Sequence, residues 1–262
     1  MRVLIYGAGV IGSLYGALLS EAGYEVSLYA RGRRLQSLRK NGLLYKEGGT
    51  VRTAEVNVLG RLEPTDRYDF VLLTVRENQL IPALEELREN NSPTIVTMVN
   101  SLGAYDDWEA VCGKGRILPA FPGAGGGFDG EVLDAALTPA IIQPTTIGKK
   151  DGRERVFAAL LKSAKIPVQI VGNIRAWQLC HLAMVVPIAD AYYEAAIPKH
   201  AGDDHPLMKK TVTQIRSNLS SMSRIGIKLT PTKMNVFRLL PISMTATILG
   251  YVFRSSFGER FM

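Results

Sequence analysis

Arg2-Val3-Leu4-Ile5-Tyr6-Gly7-Ala8-Gly9-Val10-Ile11-Gly12 decides the fold of this chain. A short apolar run passes straight into three glycines. An apolar-periodic segment then continues to Ala22, and Val26-Ser27-Leu28-Tyr29-Ala30 reads as a second strand. The order strand, glycine turn, helix, strand turns the GxGxxG spacing, weak by itself, into a dinucleotide fingerprint. Gly7 permits the tight turn out of the strand, Gly9 lets the backbone approach a pyrophosphate, and Gly12 lets the helix lie close on the sheet. The helix N-terminus offers unpaired N–H groups and a positive dipole end to the anion. A plain βα turn with incidental glycines is the alternative, and the flanking elements weigh against it.

The end of the second strand bears on the choice of cofactor. An acidic residue there would hold the ribose 2′-hydroxyl of NAD. This chain has Arg31, followed by Gly32, Arg33 and Arg34, with no carboxylate nearby in sequence. Guanidinium groups suit a 2′-phosphate, so the expected cofactor is NADP. A solvated basic loop accounts for Arg33 and Arg34 but fits Arg31 poorly.

The bulk properties are ordinary for a soluble globular protein. The chain has 262 residues, 47% hydrophobic and 21% charged, and a formal net charge of +7. NADP is a sufficient anionic partner for that charge. No arginine-rich tract interleaved with aromatics points to nucleic acid. Cys112 and Cys180 form no CxxC pair and fit a reducing, cytoplasmic setting. The first apolar run is too short for a signal peptide. The late stretch Pro241 to Phe253 falls short of the roughly 20 residues of a membrane span and reads as a buried or interface helix.

Strand and helix signals alternate over the first two-thirds of the chain. A polar, hairpin-like region covers Gly42 to Leu59. Strands are expected at Phe70 to Val75, Thr94 to Val99, Ala140 to Ile147 and Val168 to Val171, with helices near Gln79 to Glu89 and Arg153 to Ala164. Ile117 to Phe121 leads into the glycine cluster Gly123 to Gly127. After Gly172 the patterns are mostly helical, broken near Pro198, Gly202, Pro206, Gly226 to Pro231 and Pro241. The expected class is α/β: a Rossmann-type, mostly parallel sheet domain over 1–172, and an all-helical domain over 173–262 that forms the other side of a cleft.

With these features the chain resembles the ketopantoate reductase (2-dehydropantoate 2-reductase) family. The resemblance rests on the opening Gly7 to Gly12, Arg31, Thr74-Val75-Arg76 with Gln79, Val99-Asn100-Ser101-Leu102-Gly103, Thr145 to Gly148 before Asp151-Gly152, and Trp177. It covers about residues 1–190. It implies that Gly7, Ala8, Gly9, Val10, Ile11 and Gly12 hold the pyrophosphate and Arg31 the 2′-phosphate. Thr74, Val75, Arg76 and Gln79 would line the adenosine side. Asn100 would approach the nicotinamide ribose and the substrate; a turn-forming asparagine is its other reading. Arg76 stands where the family usually has lysine, which keeps the charge and alters its geometry.

The chain departs from the family where the chemistry should be. Hydride transfer to a ketone builds negative charge on oxygen, which a cation or acid should meet. The family's lysine lies two residues after the tryptophan, with two asparagines further along that helix. This chain has Leu179, Ala183 and Pro187 at those positions, and no lysine between Lys165 and Lys199. His181 lies about 200° around the helix from Leu179 and reads as structural. Lys199, His200, Asp203, Asp204 and His205 read as a solvated polar loop whose spacing fits no metal motif.

The resemblance implies an NADP-dependent oxidoreductase acting on ketopantoate or a related 2-oxo acid, and hence, for ketopantoate, a place in pantothenate synthesis. An NADP(H)-binding protein without reductase activity, a sensor or interaction module, is the alternative that the apolar helix motivates. A relative of opine or 6-phosphogluconate-type dehydrogenases also stays open. The apolar run Val236 to Phe253 makes a homodimer through the helical domain a further expectation, with an ordinary internal core as its alternative.

Overall fold

Strand β1 (Arg2–Tyr6) lies in the middle of the protein's larger sheet, and its residues Val3, Leu4 and Ile5 are wholly buried. The structure is a computed structural model and describes all residues except 102, 196, 256 and 259–262. The chain divides into two compact units, Met1–Gly172 and Asn173–Met262.

The first unit continues through α1 (Val10–Glu21), β2 (Glu25–Tyr29), α2 (Gly32–Asn41), β3 (Leu43–Glu47), β4 (Thr50–Ala54), β5 (Asn57–Leu59) and β6 (Phe70–Leu73). A 3-10 turn (Glu77–Gln79) leads into α3 (Leu80–Arg88), β7 (Ile95–Thr97), α4 (Tyr105–Cys112) and β8 (Ile117–Phe121). Then follow β9 (Ala124–Asp129), β10 (Val132–Leu137), β11 (Thr145–Gly148), α5 (Arg153–Ser163) and β12 (Val168–Val171). The eight-stranded sheet has the order β12-β11-β8-β7-β6-β1-β2-β5, and only the β8–β11 pair is antiparallel. A four-stranded sheet has the order β4-β3-β10-β9.

Alternation along β1 divides the core between the two faces of the large sheet. Val3 and Ile5 join Leu14, Ala17, Phe157 and Leu161, so α1 and α5 cover one face. Leu4 and Tyr6 join Leu80, Leu84, Leu87 and Trp108, so α3 and α4 cover the other. Each buried aliphatic side chain contributes roughly 1.5–3 kcal/mol relative to exposure.

Three segments differ from expectation. The hairpin-like region ends with Ala54: β3 and β4 pair antiparallel, but β5 leaves them to extend the large sheet beside β2. The strand expected from Ala140 begins at Thr145, because Pro139 accepts the N–H groups of Ile142 and Gln143 in a turn that leaves Ile141 exposed. The glycine cluster is strand β9, paired antiparallel with β10. Glycine is depleted in strands and marks close backbone approach when it occurs there. At Gly126 (φ +143°) an added Cβ would lie 2.4 Å from the Ala135 Cα.

The second unit comprises α6 (Ile174–Glu194), a 3-10 segment (Pro198–Asp203), α7 (His205–Arg224), α8 (Lys233–Leu239) and α9 (Ile242–Arg254). Asn173 caps α6 by accepting from the Ala176 N–H at 2.9 Å, and Asp204 caps α7 by accepting from Leu207 at 2.9 Å. Met208, Val212, Ala246 and Phe253 form one core, and Cys180, Ile215 and Leu219 another. No described helix is long and apolar enough to cross a membrane.

Two tests follow from the packing. At Gly12 an added Cβ would lie 2.0 Å from the Gly7 carbonyl oxygen and 2.5 Å from the Thr74 Oγ1. Gly12→Ala should therefore cost about 2–3 kcal/mol in urea denaturation; an unchanged midpoint would show that α1 can move off the sheet freely. His181 is 7% exposed and stacks on Trp177 at 5.3 Å, and burial lowers its pKa to about 4. Its unfolded pKa is near 6.5, so the unfolded chain takes up the proton first on acidification. Its contribution is complete above about pH 6.5 and is lost as the pH falls toward 4. His181→Phe should remove on the order of 3 kcal/mol of that pH-dependent loss, read from denaturation at pH 7 and pH 4.

Candidate cofactor-binding site

Register places the site. Tyr6 pairs with Tyr29 and Leu73, and Leu73 with Thr97, so parallel strands β1, β2, β6 and β7 all end on one line. The loops that follow them share the carboxyl edge of the sheet, where ligands of open α/β sheets bind. A cleft of about 530 Å³ opens at that edge. Its lining includes Gly7, Ala8, Gly9, Arg31, Thr74, Val75, Arg76 and Gln79.

The glycine turn is held from behind. The Gly7 N–H donates to the Tyr29 carbonyl at 3.2 Å, and Thr74 Oγ1 donates to the Gly7 carbonyl at 2.8 Å. Gly7 has φ +114°, a conformation that side chains disfavour. The Ala8 carbonyl accepts from Ser13 Oγ at 3.2 Å and from Arg34 Nε at 3.2 Å. No side chain caps α1, and the first N–H groups of a helix lack intrahelical acceptors.

Gly9 gives a fit test for a bound pyrophosphate. Its φ of −76° is open to any residue, and an added Cβ would meet no atom within 4 Å. Nothing in the protein itself calls for glycine there. A group approaching the backbone from the cleft does, and an uncapped helix end suits an anion. The residues present therefore fit a dinucleotide. Val10, Ile11 and buried Gly12 form the first turn of α1 just behind the lining.

Arg31 is less free than its sequence position implies. It forms an ion pair with Glu86 of α3, donates from Nε to the Tyr29 hydroxyl at 2.8 Å, and from Nη2 to the Tyr6 hydroxyl at 3.0 Å. Both tyrosine hydroxyls donate to Glu86, at 2.5 Å from Tyr6 and 2.8 Å from Tyr29. Burial first, and the Glu86 carboxylate with it, raise the pKa of Tyr6. Burial likewise raises that of Tyr29.

Arg34 lines the cleft and is embedded, not part of a solvated basic loop. Its guanidinium lies 4.5 Å from the centre of the Phe128 ring and 3.6 Å from Glu131, and burial lowers its pKa. Tyr6, Tyr29, Asn78, Pro82 and Ala83 complete the lining beside the sequence-derived residues. Arg31 is the extended residue just before α2 and Arg34 lies in its first turn, a closeness in sequence that could have drawn attention to Arg34. Asn100 is exposed just beyond β7 and outside the cleft lining. Its neighbour Ser101 donates to Glu77 at 2.7 Å, tying this loop to the 3-10 turn after β6. Leu102 lies outside the described residues.

The sequence profile of the family described as Ketopantoate reductase PanE/ApbA matches residues 3–136, just over half of the chain. This chain belongs to the ketopantoate reductase family. It is 29% identical over 179 residues to the 2-dehydropantoate 2-reductase of Mesorhizobium japonicum, covering 67% of this chain and 48% of that protein. The chain spans about half the length of the curated relatives it matches. In fold it is similar to a PanE/ApbA family ketopantoate reductase from Ralstonia eutropha, with TM-score 0.72, 18% identity, and 91% and 79% of the two chains covered. It is also similar to a D-mandelate dehydrogenase solved with NADH and anilino(oxo)acetate, with TM-score 0.65, 17% identity, and 97% and 80% covered.

In the second unit, Leu179 is half-buried on α6 between buried Gln178 and Cys180. His181, two residues on, is buried against Trp177. His200 meets Asp203 at 3.1 Å, and Asp204 is the α7 cap, so the polar loop has local uses for these groups. No group of three or more potential metal ligands occurs among the described residues.

Gly9 provides a separable test of the cleft. Gly9→Ala should keep wild-type stability, since its Cβ meets nothing within 4 Å, and should weaken NADPH binding by roughly tenfold or more in a fluorescence titration. Unchanged affinity would mean that no ligand approaches this backbone.

Proposed function

We propose that this protein is an NADP(H)-dependent reductase of a 2-oxo acid or a related carbonyl compound, with ketopantoate as the leading substrate and pantothenate synthesis as its setting. The observation that carries the proposal is the uncapped start of α1 facing an open cleft that Arg31, Arg34 and Arg76 also line. Family membership supports the same activity.

In this reading Gly7, Ala8 and Gly9 admit the pyrophosphate, and the N–H groups of Val10, Ile11 and Gly12 receive its charge. Arg31, with Arg34 beside it, binds the adenosine 2′-phosphate. Thr74, Val75, Arg76 and Gln79 line the adenosine side. Asn100 serves as catalytic residue by donating its amide N–H to the substrate oxygen and orienting the carbonyl. When bound, the reduced nicotinamide supplies the hydride. The 1–172 unit is the cofactor domain, and 173–262 is a separate helical unit. A cytoplasmic homodimer is part of the proposal, supported by exposed Met244, Ile248 and Tyr251 on one face of α9.

The experiment is NADPH oxidation followed by absorbance with ketopantoate and a panel of 2-oxo acids, with binding measured by fluorescence on the same sample. Binding and turnover with at least one acid are expected. Arg31→Ala should weaken NADPH roughly tenfold and NADH little, since only one carries the 2′-phosphate. Tight binding without turnover would overturn the reductase assignment. Equal wild-type affinity for NADH and NADPH would overturn the cofactor preference.

A further inference from the structure

The proposed anchor for a 2′-phosphate is already paired. Arg31 meets Glu86, and both are held by the hydroxyls of Tyr6 and Tyr29. Three of these four residues line the cleft; Glu86 stands behind them on α3. We propose that Glu86 is a specificity-determining residue of the cleft, whose carboxylate competes with an adenosine 2′-phosphate for Arg31 and shifts the balance from NADPH toward NADH. The proposal rests on the cofactor reading given above.

The geometry makes the competition strong. The two oxygens of Glu86 collect one guanidinium and two phenol donors. The rings of Tyr6 and Tyr29 lie 4.6 Å apart, and the Arg31 guanidinium sits 5.3 Å from the Tyr29 ring centre. The carboxylate is thus fixed by contacts from two strands and the Arg31 loop, and its side chain is only 27% exposed. A flexible surface acid would swing into water when an anion arrived. This one has three partners to lose.

Charge decides the direction. Arg31 and Glu86 together carry no net charge, so a 2′-phosphate reaching Arg31 meets a compensated cation with an anion behind it. A ribose 2′-hydroxyl is neutral and feels little of that repulsion. The remaining cations on the lining, Arg34 and Arg76, keep the cleft attractive to the pyrophosphate common to both cofactors. Glu86 therefore acts on the difference between them. In sequence it is 55 residues from Arg31, where the second-strand pattern gives no sign of it.

The test needs no turnover. Calorimetric binding of 2′,5′-ADP and 5′-AMP to the full chain reads the contribution of the 2′-phosphate as the ratio of two Kd values. Glu86→Gln keeps the size and an acceptor for the tyrosines while removing the charge. It should raise the preference for 2′,5′-ADP by roughly tenfold, nearly all through that ligand. Glu86→Ala carries the same expectation and serves if the amide disturbs the fold, which circular dichroism checks. An unchanged ratio in folded variants would overturn the proposal. A lower ratio would also overturn it, because Glu86 would then be holding Arg31 in place for the phosphate. Failure of the wild-type chain to bind either nucleotide, or NADPH, would instead overturn the cofactor reading itself, and this proposal with it.

Discussion

The site depends on how closely α1 can approach β1 and β6. Only three residues separate β1 from helix α1, so its first turn must pass over the Gly7 carbonyl and the Thr74 hydroxyl. Only a residue without a side chain fits at position 12. With that contact made, the end of α1 points along the sheet edge and the Gly7 and Ala8 carbonyls turn inward to Thr74, Ser13 and Arg34. The inward carbonyls matter as much as the outward N–H groups. A carbonyl left facing the cleft would repel the same anion that the helix end attracts.

The rim is less uniformly basic than the chain's net charge of +7 implies. Two of its arginines are matched with acids, Arg31 with Glu86 and Arg34 with Glu131. Pairing holds the guanidinium groups in place and also tempers their pull on anions. The Glu86 pair is reinforced by buried phenols, while Glu131 is 55% exposed and more open to screening by salt.

Elements with strong local patterns were legible. The first βαβ unit, the helix beginning at Arg153, the strand at Val168 and the helical character after Gly172 stand close to where periodicity puts them. Gly7, Gly12 and Arg31 were visible because spacing within one βαβ unit is local information. The glycine run at 123–127 was hidden, because its strand character comes from Ala135 packing against Gly126, and pairing across a hairpin leaves no periodic trace in a stretch without side chains. Arg34 was discounted because its shelter comes from Phe128 and Ala8, and Glu86 was missed because only the fold brings α3 to the end of β2. In each case the deciding partner is distant along the chain.

The β9–β10 hairpin carries Phe128 and Glu131 to α2, where Glu131 bonds Ser37 across 94 residues of sequence. The opening βαβ unit is built from neighbours and can assemble early, but its rim near Arg34 must wait for a segment made much later. Contacts of such long separation pay their loop-closure entropy before they return anything. During synthesis the glycine turn and Arg31 would thus emerge and pair well before Arg34 acquires its final environment. The order of chain growth is written into the cleft: its floor closes once Thr74 and Glu86 are made, and one wall waits for the later hairpin.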